Sequence, residues 1–87
     1  MKELITKLNE ASELLSKLSG GYSGKFLSVE EFTEALRKNI KEIEKGNVKA
    51  IQEVYYWFAP TCEWDDFTIE INSELGDTIF ELLEKYK

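Results

Sequence analysis

The sequence predicts a small all-α domain, and three features of the chain support this prediction. Apolar residues recur at the three- and four-residue spacing of amphipathic helices. Capping residues precede several of these stretches, and only five glycines and one proline interrupt the 87 residues. The length suits a single domain over residues 1–87, built around one core. We therefore expect a bundle of about four helices, at approximately 2–18, 29–45, 48–58 and 73–86.

The first predicted helix has one apolar stripe and one charged face. The stripe is formed by Leu4, Leu8, Ala11, Leu15 and Leu18. Gly20 and Gly21 should end the helix, because glycine reaches positive φ at little steric cost. The glycine-rich loop that follows does not match a phosphate-binding loop, since no strand precedes it and Phe26, not Ser or Thr, follows Lys25.

The second predicted helix begins with a capping box. Ser28 should accept a hydrogen bond from the amide of Glu31, whose carboxylate should reach back to the serine amide. Leu27 and Phe32 are spaced for a hydrophobic staple across this helix start. These signals place the helix at about residues 29–45.

The third predicted helix is bounded by strong local signals. Gly46 should stop the second helix, and Asn47 should cap the third. Pro60 should end it, because a residue before proline is disfavoured in the helical region. Four consecutive aromatic residues precede Pro60, so at least one of Tyr56 and Trp57 must point away from the core.

The segment after Pro60 is predicted to be irregular. We expect a loop at 61–66 and an extended connector at 67–71, where apolar and polar residues alternate. Asn72 or Ser73 should cap the last helix. Gly76 is unfavourable inside a helix, which a close approach by another element or a late helix start would explain.

Negative charge is concentrated in the second half of the chain. The formal net charge is −6, yet residues 1–49 carry nine basic and eight acidic side chains. Residues 50–84 carry nine acids and no base. Such a surface disfavours nucleic acid and attracts a basic partner, although acidic surfaces also serve solubility alone.

Catalytic chemistry is poorly supported by the residue types present. The chain has no histidine, and its one cysteine, Cys62, stands beside Glu63, which disfavours a thiolate. The acids near Trp64 lack the glycine and the ligand spacing of a calcium loop. We therefore predict no catalytic residues, no metal site and no cofactor.

Partner recognition is the function that uses the unusual residues of this chain. Tryptophan and tyrosine are enriched at interfaces, and flanking carboxylates orient a basic partner. The predicted partner-binding residues are Tyr56, Trp57, Glu63, Trp64, Asp65 and Asp66. The alternative is that the tryptophans are core residues, an interpretation that fits Trp57 better than Trp64.

The tract from residue 40 to residue 67 is similar in rhythm to some helical immunity proteins of bacterial toxin systems. The features that carry this likeness are a charged helix ending at Lys45-Gly46-Asn47, then Ile51, Val54, Tyr56 and the closing Trp64-Asp65-Asp66-Phe67. The resemblance implies a small acidic bacterial inhibitor that plugs the active cleft of a toxin without catalysis.

The leading hypothesis is thus a non-catalytic module that binds a basic protein, with a toxin as the partner class that the resemblance implies. The start of the chain lacks the apolar core of a secretion signal, so we expect a cytoplasmic protein that contacts neither nucleic acid nor membrane. A self-associating structural or adaptor domain is the alternative, and a metal-dependent enzyme is the third. The oligomeric state stays open.

Overall fold

The computed structural model describes residues 1–21, 26–60, 62–68 and 74–86, and these residues form an all-α fold. Its helices are α1 (Lys2–Leu15), α2 (Val29–Glu44), α3 (Val48–Phe58), α4 (Glu63–Thr68) and α5 (Leu75–Tyr86). The radius of gyration is 11.7 Å, close to the roughly 12 Å expected for a compact chain of this length.

Helices α1, α2, α3 and α5 form an antiparallel four-helix bundle, and α4 packs against α3. The Gly46-Asn47 connection turns α2 back into α3. A polar or aromatic contact joins each pair of neighbouring helices. Between α1 and α2, Arg37 Nη2 lies 3.7 Å from Glu13 Oε1, and between α2 and α3, Asn39 Nδ2 donates to Glu53 Oε1 at 2.9 Å. Between α3 and α5 the ring centroids of Tyr55 and Phe80 lie 4.8 Å apart, and between α1 and α5 the Met1 amino group donates to Tyr86 Oη at 2.7 Å. The last of these joins the start of α1 to the end of α5, which closes the ring of helices.

The core contains apolar residues from every helix. Its most completely buried members include Leu4, Leu8, Leu15, Phe32, Leu36, Ile43, Val54, Trp64, Ile79 and Leu83. They follow the apolar spacing of the sequence, so the helical periodicity correctly predicts which face of each long helix is buried.

The starts of α2 and α3 have the predicted N-caps. The amide of Glu31 donates to Ser28 Oγ at 3.2 Å, and the amide of Lys49 donates to Asn47 Oδ1 at 3.0 Å. Gly46 has φ +91°, the left-handed conformation that ends a helix at glycine. The carboxylate of Glu31 accepts at 3.4 Å from the amide of Leu27, one residue before the predicted donor.

The predicted staple between Leu27 and Phe32 is wrong. Leu27 is 79% exposed, whereas Phe26 is 6% exposed, and its ring centroid lies 5.1 Å from that of Phe32. The aromatic ring one position earlier fills the site because it also reaches Trp57, at 5.4 Å.

Three predicted helix boundaries shift in the structure, and that of α2 shifts by only one residue, to Glu44. Helix α1 ends at Leu15, not at residue 18. The amides of Lys17 and Leu18 donate to carbonyls three residues earlier, which is the hydrogen-bond pattern of a turn and not of an α-helix. Helix α5 begins at Leu75, not at residue 73. The predicted caps of α5, Asn72 and Ser73, lie outside the described residues.

The loop predicted at 61–66 is wrong, because residues 63–68 form α4. The amide of Asp66 donates to the Cys62 carbonyl at 3.0 Å, and Thr68 Oγ1 donates to the Trp64 carbonyl at 2.6 Å. Carboxylates in the first turn favour a helix N-terminus, and the chain places Glu63, Asp65 and Asp66 there. Residues 67 and 68 are helical as well, and the rest of the predicted extended connector lies outside the described residues.

Pro60 ends α3 as predicted. Ala59, which precedes it, has φ −62° and ψ +151°, an extended conformation. Among the described residues, no helix is both long enough and apolar enough to cross a membrane.

Candidate functional site

Both tryptophans of the predicted binding surface are buried. Trp57 is 3% exposed and Trp64 is 2% exposed. The interpretation of Trp64 as a solvent-exposed anchor is therefore wrong, and the alternative, that the indoles belong to the core, is correct. The physical reason is that α4 turns the indole of Trp64 inward, against the end of the bundle.

Trp64 attaches α4 to the bundle at two points. Its ring stacks on Phe58 of α3, with centroids 4.9 Å apart and an interplanar angle of 27°. It also lies against Gly76 of α5, where a Cβ atom would overlap the five-membered part of the indole. The glycine thus leaves the space that the indole needs. Both explanations predicted for Gly76 hold, because the approach is close and α5 begins late, at Leu75.

Trp57 lies in an aromatic cluster at the start of α2. The ring centroids of Phe26 and Phe32 lie 5.4 and 5.6 Å from it, both nearly perpendicular. Its Nε1 is buried and has no hydrogen-bond acceptor among the described residues. The indole therefore acts as an apolar filler here, at the cost of one unsatisfied donor.

The carboxylates of α4 are turned away from the tryptophans. Asp65 and Asp66 are exposed and Glu63 is half-buried, while Trp64 and Thr68 of the same helix are buried. We name Glu63, Asp65 and Asp66 the α4 acidic face. The structure brings these three predicted residues together, on a helix that its own tryptophan holds in place.

Tyr56 is the exposed aromatic residue of the predicted set. It is 68% exposed on the solvent side of α3, which confirms that one of Tyr56 and Trp57 points outward. Its ring contacts that of Tyr55, with centroids 5.7 Å apart and an interplanar angle of 72°. Tyr56 therefore belongs to a surface formed by α3, whereas the α4 acidic face lies on the helix that follows.

Sequence reasoning missed a second group of acids, on α5. Asp77, Glu81 and Glu84 are exposed, and their spacing of four and three places them on one face of the helix. Phe80, which is half-buried, lies beside them on α5. The four-and-three spacing of these acids is present in the sequence. It indicates an exposed acidic face because the opposite face of α5 is buried.

Ion pairs described in the first 45 residues join Lys7 to Glu10, Arg37 to Glu13 and Lys45 to Glu42. The nine acids of residues 50–84 have no basic residue among them in the sequence. The negative formal charge of the protein therefore comes from this half of the chain.

Cys62 is half-buried and not in a disulfide. Among the described residues, no three Cys, Asp or Glu side chains lie close enough together to hold a metal ion.

Comparison with protein-family models, with curated proteins and with solved structures finds no significant match to this chain.

Proposed function

We propose that this protein is a non-catalytic binding module that docks an acidic surface, including the α4 acidic face and Tyr56, on a basic protein partner. The observation that carries the proposal is that α4 has one buried and one exposed face. Trp64 is buried against Phe58 and Gly76, and Asp65 and Asp66 of the same helix are exposed.

A fixed acidic helix suits recognition of a basic surface. Side chains on a helix that is already ordered lose less conformational entropy on binding than side chains on a flexible loop. Carboxylates at the rim of an interface raise the rate of association and set its orientation. Tyr56, on the surface of α3, would add apolar area to the interface, as aromatic interface residues do.

A toxin is the partner class that the resemblance to helical immunity proteins implies. An acidic inhibitor of this kind would block the basic cleft of a toxin by occupying it, which requires no catalytic residue. Cytoplasmic protection of the producing bacterium is the role that follows. Its test is co-expression with a basic toxin encoded next to this chain: survival of the cells supports the proposal, and death despite expression of both folded proteins contradicts it.

The docking surface itself can be tested with a peptide probe. The protein, labelled with ¹⁵N, is titrated at low salt with an unstructured peptide of alternating Lys, Arg and Gly. We expect amide shifts concentrated in α4, α5 and the second half of α3, and their loss at about 0.5 M salt. Shifts spread equally over α1 and α2, or no shifts at all, would contradict the proposal.

Self-association is the second candidate, and one observation favours it. Val48 is 55% exposed and Tyr56 is 68% exposed, about two turns apart on the solvent side of α3. An apolar pair of this kind could join two copies of the chain. Sedimentation over a wide concentration range tests it: a concentration-dependent dimer that Tyr56→Ser abolishes supports this candidate, and a monomer throughout contradicts it.

A further inference from the structure

Three aromatic rings form a continuous row across the seam between α3 and α5. Phe80 of α5 stacks on Tyr55 of α3, with centroids 4.8 Å apart and an interplanar angle of 21°. Tyr55 in turn contacts Tyr56 at 5.7 Å. Phe80 and Tyr55 are half-buried, while Tyr56 is 68% exposed. The row therefore presents aromatic surface to solvent.

Carboxylates flank this row on the α5 side. Asp77 precedes Phe80 by three residues and Glu84 follows it by four, so both lie next to its ring on the helix surface. Glu81 lies between them, and all three are exposed. We call the three rings together with these three acids the α3–α5 seam.

The chemistry of the α3–α5 seam selects its occupant. Carboxylates attract Lys and Arg, and tyrosine faces bind the same cations, Arg in particular, through cation–π contacts. The half-buried rings offer apolar area to the aliphatic stems of these side chains. The acids repeat with the four-and-three spacing of a helix face, which a partner helix with basic residues at the same spacing would match.

We propose that the α3–α5 seam binds a basic amphipathic helix of the partner protein, with Arg residues over Tyr55 and Tyr56 and paired with Asp77, Glu81 and Glu84. This inference rests on the proposed function and names the form of the partner segment. It assigns the aromatic contacts with the partner to Tyr55, Tyr56 and Phe80 instead of the buried tryptophans.

The test uses two fluorescent peptides of identical composition, about five turns long if helical. One carries Leu and Arg in an amphipathic helical pattern, and the other carries the same residues in scrambled order. Binding to the intact 87-residue protein is measured by anisotropy at about 0.05 M salt. We expect the patterned peptide to bind at least about tenfold more tightly than the scrambled one.

Two pairs of substitutions that each remove two negative charges locate the binding surface. Glu81→Gln with Glu84→Gln neutralises the seam, and Glu34→Gln with Glu44→Gln serves as the control. Each pair has one member in mid-helix and one in the last turn, and all four side chains are exposed. We expect the seam pair, and Tyr56→Ser separately, to weaken binding of the patterned peptide by about tenfold, and the control pair by less than about threefold.

Three outcomes would overturn the seam assignment: equal binding of the two peptides, equal effects of the two charge pairs, or no effect of Tyr56→Ser. The proposed function would still stand if the unstructured Lys-Arg-Gly peptide continued to shift amides of α4. If neither that peptide nor the Leu-Arg peptides bound, the proposed function would fail together with the seam.

Discussion

Gly76 of α5 lies directly against the indole of Trp64 of α4, so closely that a Cβ atom at position 76 would overlap Nε1 and Cδ1 of the ring. The residue is buried and is the second residue of α5, where glycine has a lower helix propensity than alanine. The contact explains why glycine is needed there. It also explains why Trp64 can be buried although it belongs to a six-residue helix outside the main bundle.

Gly76→Ala should destabilise the protein despite the better helix propensity of alanine. Propensity alone favours alanine by at most about 1 kcal/mol at this second residue of α5, but the displaced indole should reverse the sign and lower the free energy of unfolding by about 1–3 kcal/mol. Urea denaturation measures this difference. Thr78→Ala, at an exposed position of the same helix, is the control and should be neutral or slightly stabilising.

A smaller residue at position 64 should remove the penalty. In a double-mutant cycle, Gly76→Ala should cost less in a Trp64→Leu background than in the natural one, with a coupling energy above about 1 kcal/mol. Additive effects of the two substitutions would mean that Gly76 does not accommodate the indole.

Trp57→Phe should be tolerated far better than Trp57→Ala. The phenyl ring keeps contact with Phe26 and Phe32 and removes the unpaired Nε1 donor, whose burial costs about 1–3 kcal/mol. We expect Trp57→Phe to change the free energy of unfolding by less than about 1.5 kcal/mol, and Trp57→Ala to lower it by about 3–5 kcal/mol. Urea denaturation of the two variants checks both values. A phenylalanine variant as unstable as the alanine one would disprove the role of Trp57 as an apolar filler.

Glu42 should make the stability of the protein depend on pH. The hydrogen bond from Asn47 Nδ2, at 3.2 Å, and then the charge of Lys45 lower the pKa of the Glu42 carboxyl. Because the folded pKa lies below the unfolded one, this contribution is present above the unfolded pKa and is lost as pH falls through the folded pKa.

Glu42→Gln should therefore lower the free energy of unfolding more at about pH 7 than at about pH 3. Denaturation at both values measures the difference, with Glu44→Gln, an exposed acid of the same helix, as the control. A second variant, Asn47→Ser, keeps an N-cap for α3 but replaces the amide that donates to Glu42 with a shorter side chain. It should reduce the pH dependence of the free energy of unfolding. A Glu42→Gln effect that is the same at both pH values would contradict this assignment.

Trp64→Ala should act on folding. Removal of a fully buried indole should lower the free energy of unfolding by about 3–5 kcal/mol. Thermal and urea denaturation of Trp64→Ala give this value. A variant as stable as the natural protein would mean that Trp64 is not part of the core.

The long helices could be predicted from the sequence because local signals and apolar periodicity agree there. Ser28, Gly46, Asn47 and Pro60 each act within a few residues of their own position, and the structure places the corresponding helix boundaries where these residues predict them. The end of α1 and the start of α5 were predicted less accurately, since no strong local stop marks residue 15 and the predicted caps of α5 lie outside the described residues.

Helix α4 and the burial of the tryptophans could not be predicted in the same way. The alternation that begins at Phe67 favoured an extended segment, yet Phe67 is helical and stacks on Phe32 with centroids 5.3 Å apart. The burial of Trp64 depends on a gap at Gly76, twelve residues later in the chain and on another helix. Such a contact is a tertiary property that neither spacing nor composition reveals.

The most direct test of the proposed function compares the affinity of Asp65→Asn with Asp66→Asn and of the control pair Glu34→Gln with Glu44→Gln for the Lys-Arg-Gly peptide. Isothermal titration at low salt gives the dissociation constants, and circular dichroism confirms that both variants are folded. If the α4 acidic face binds basic partners, the aspartate pair should weaken binding by about tenfold and the control pair by less than about threefold. Equal losses, or none for the aspartate pair, would contradict the proposal.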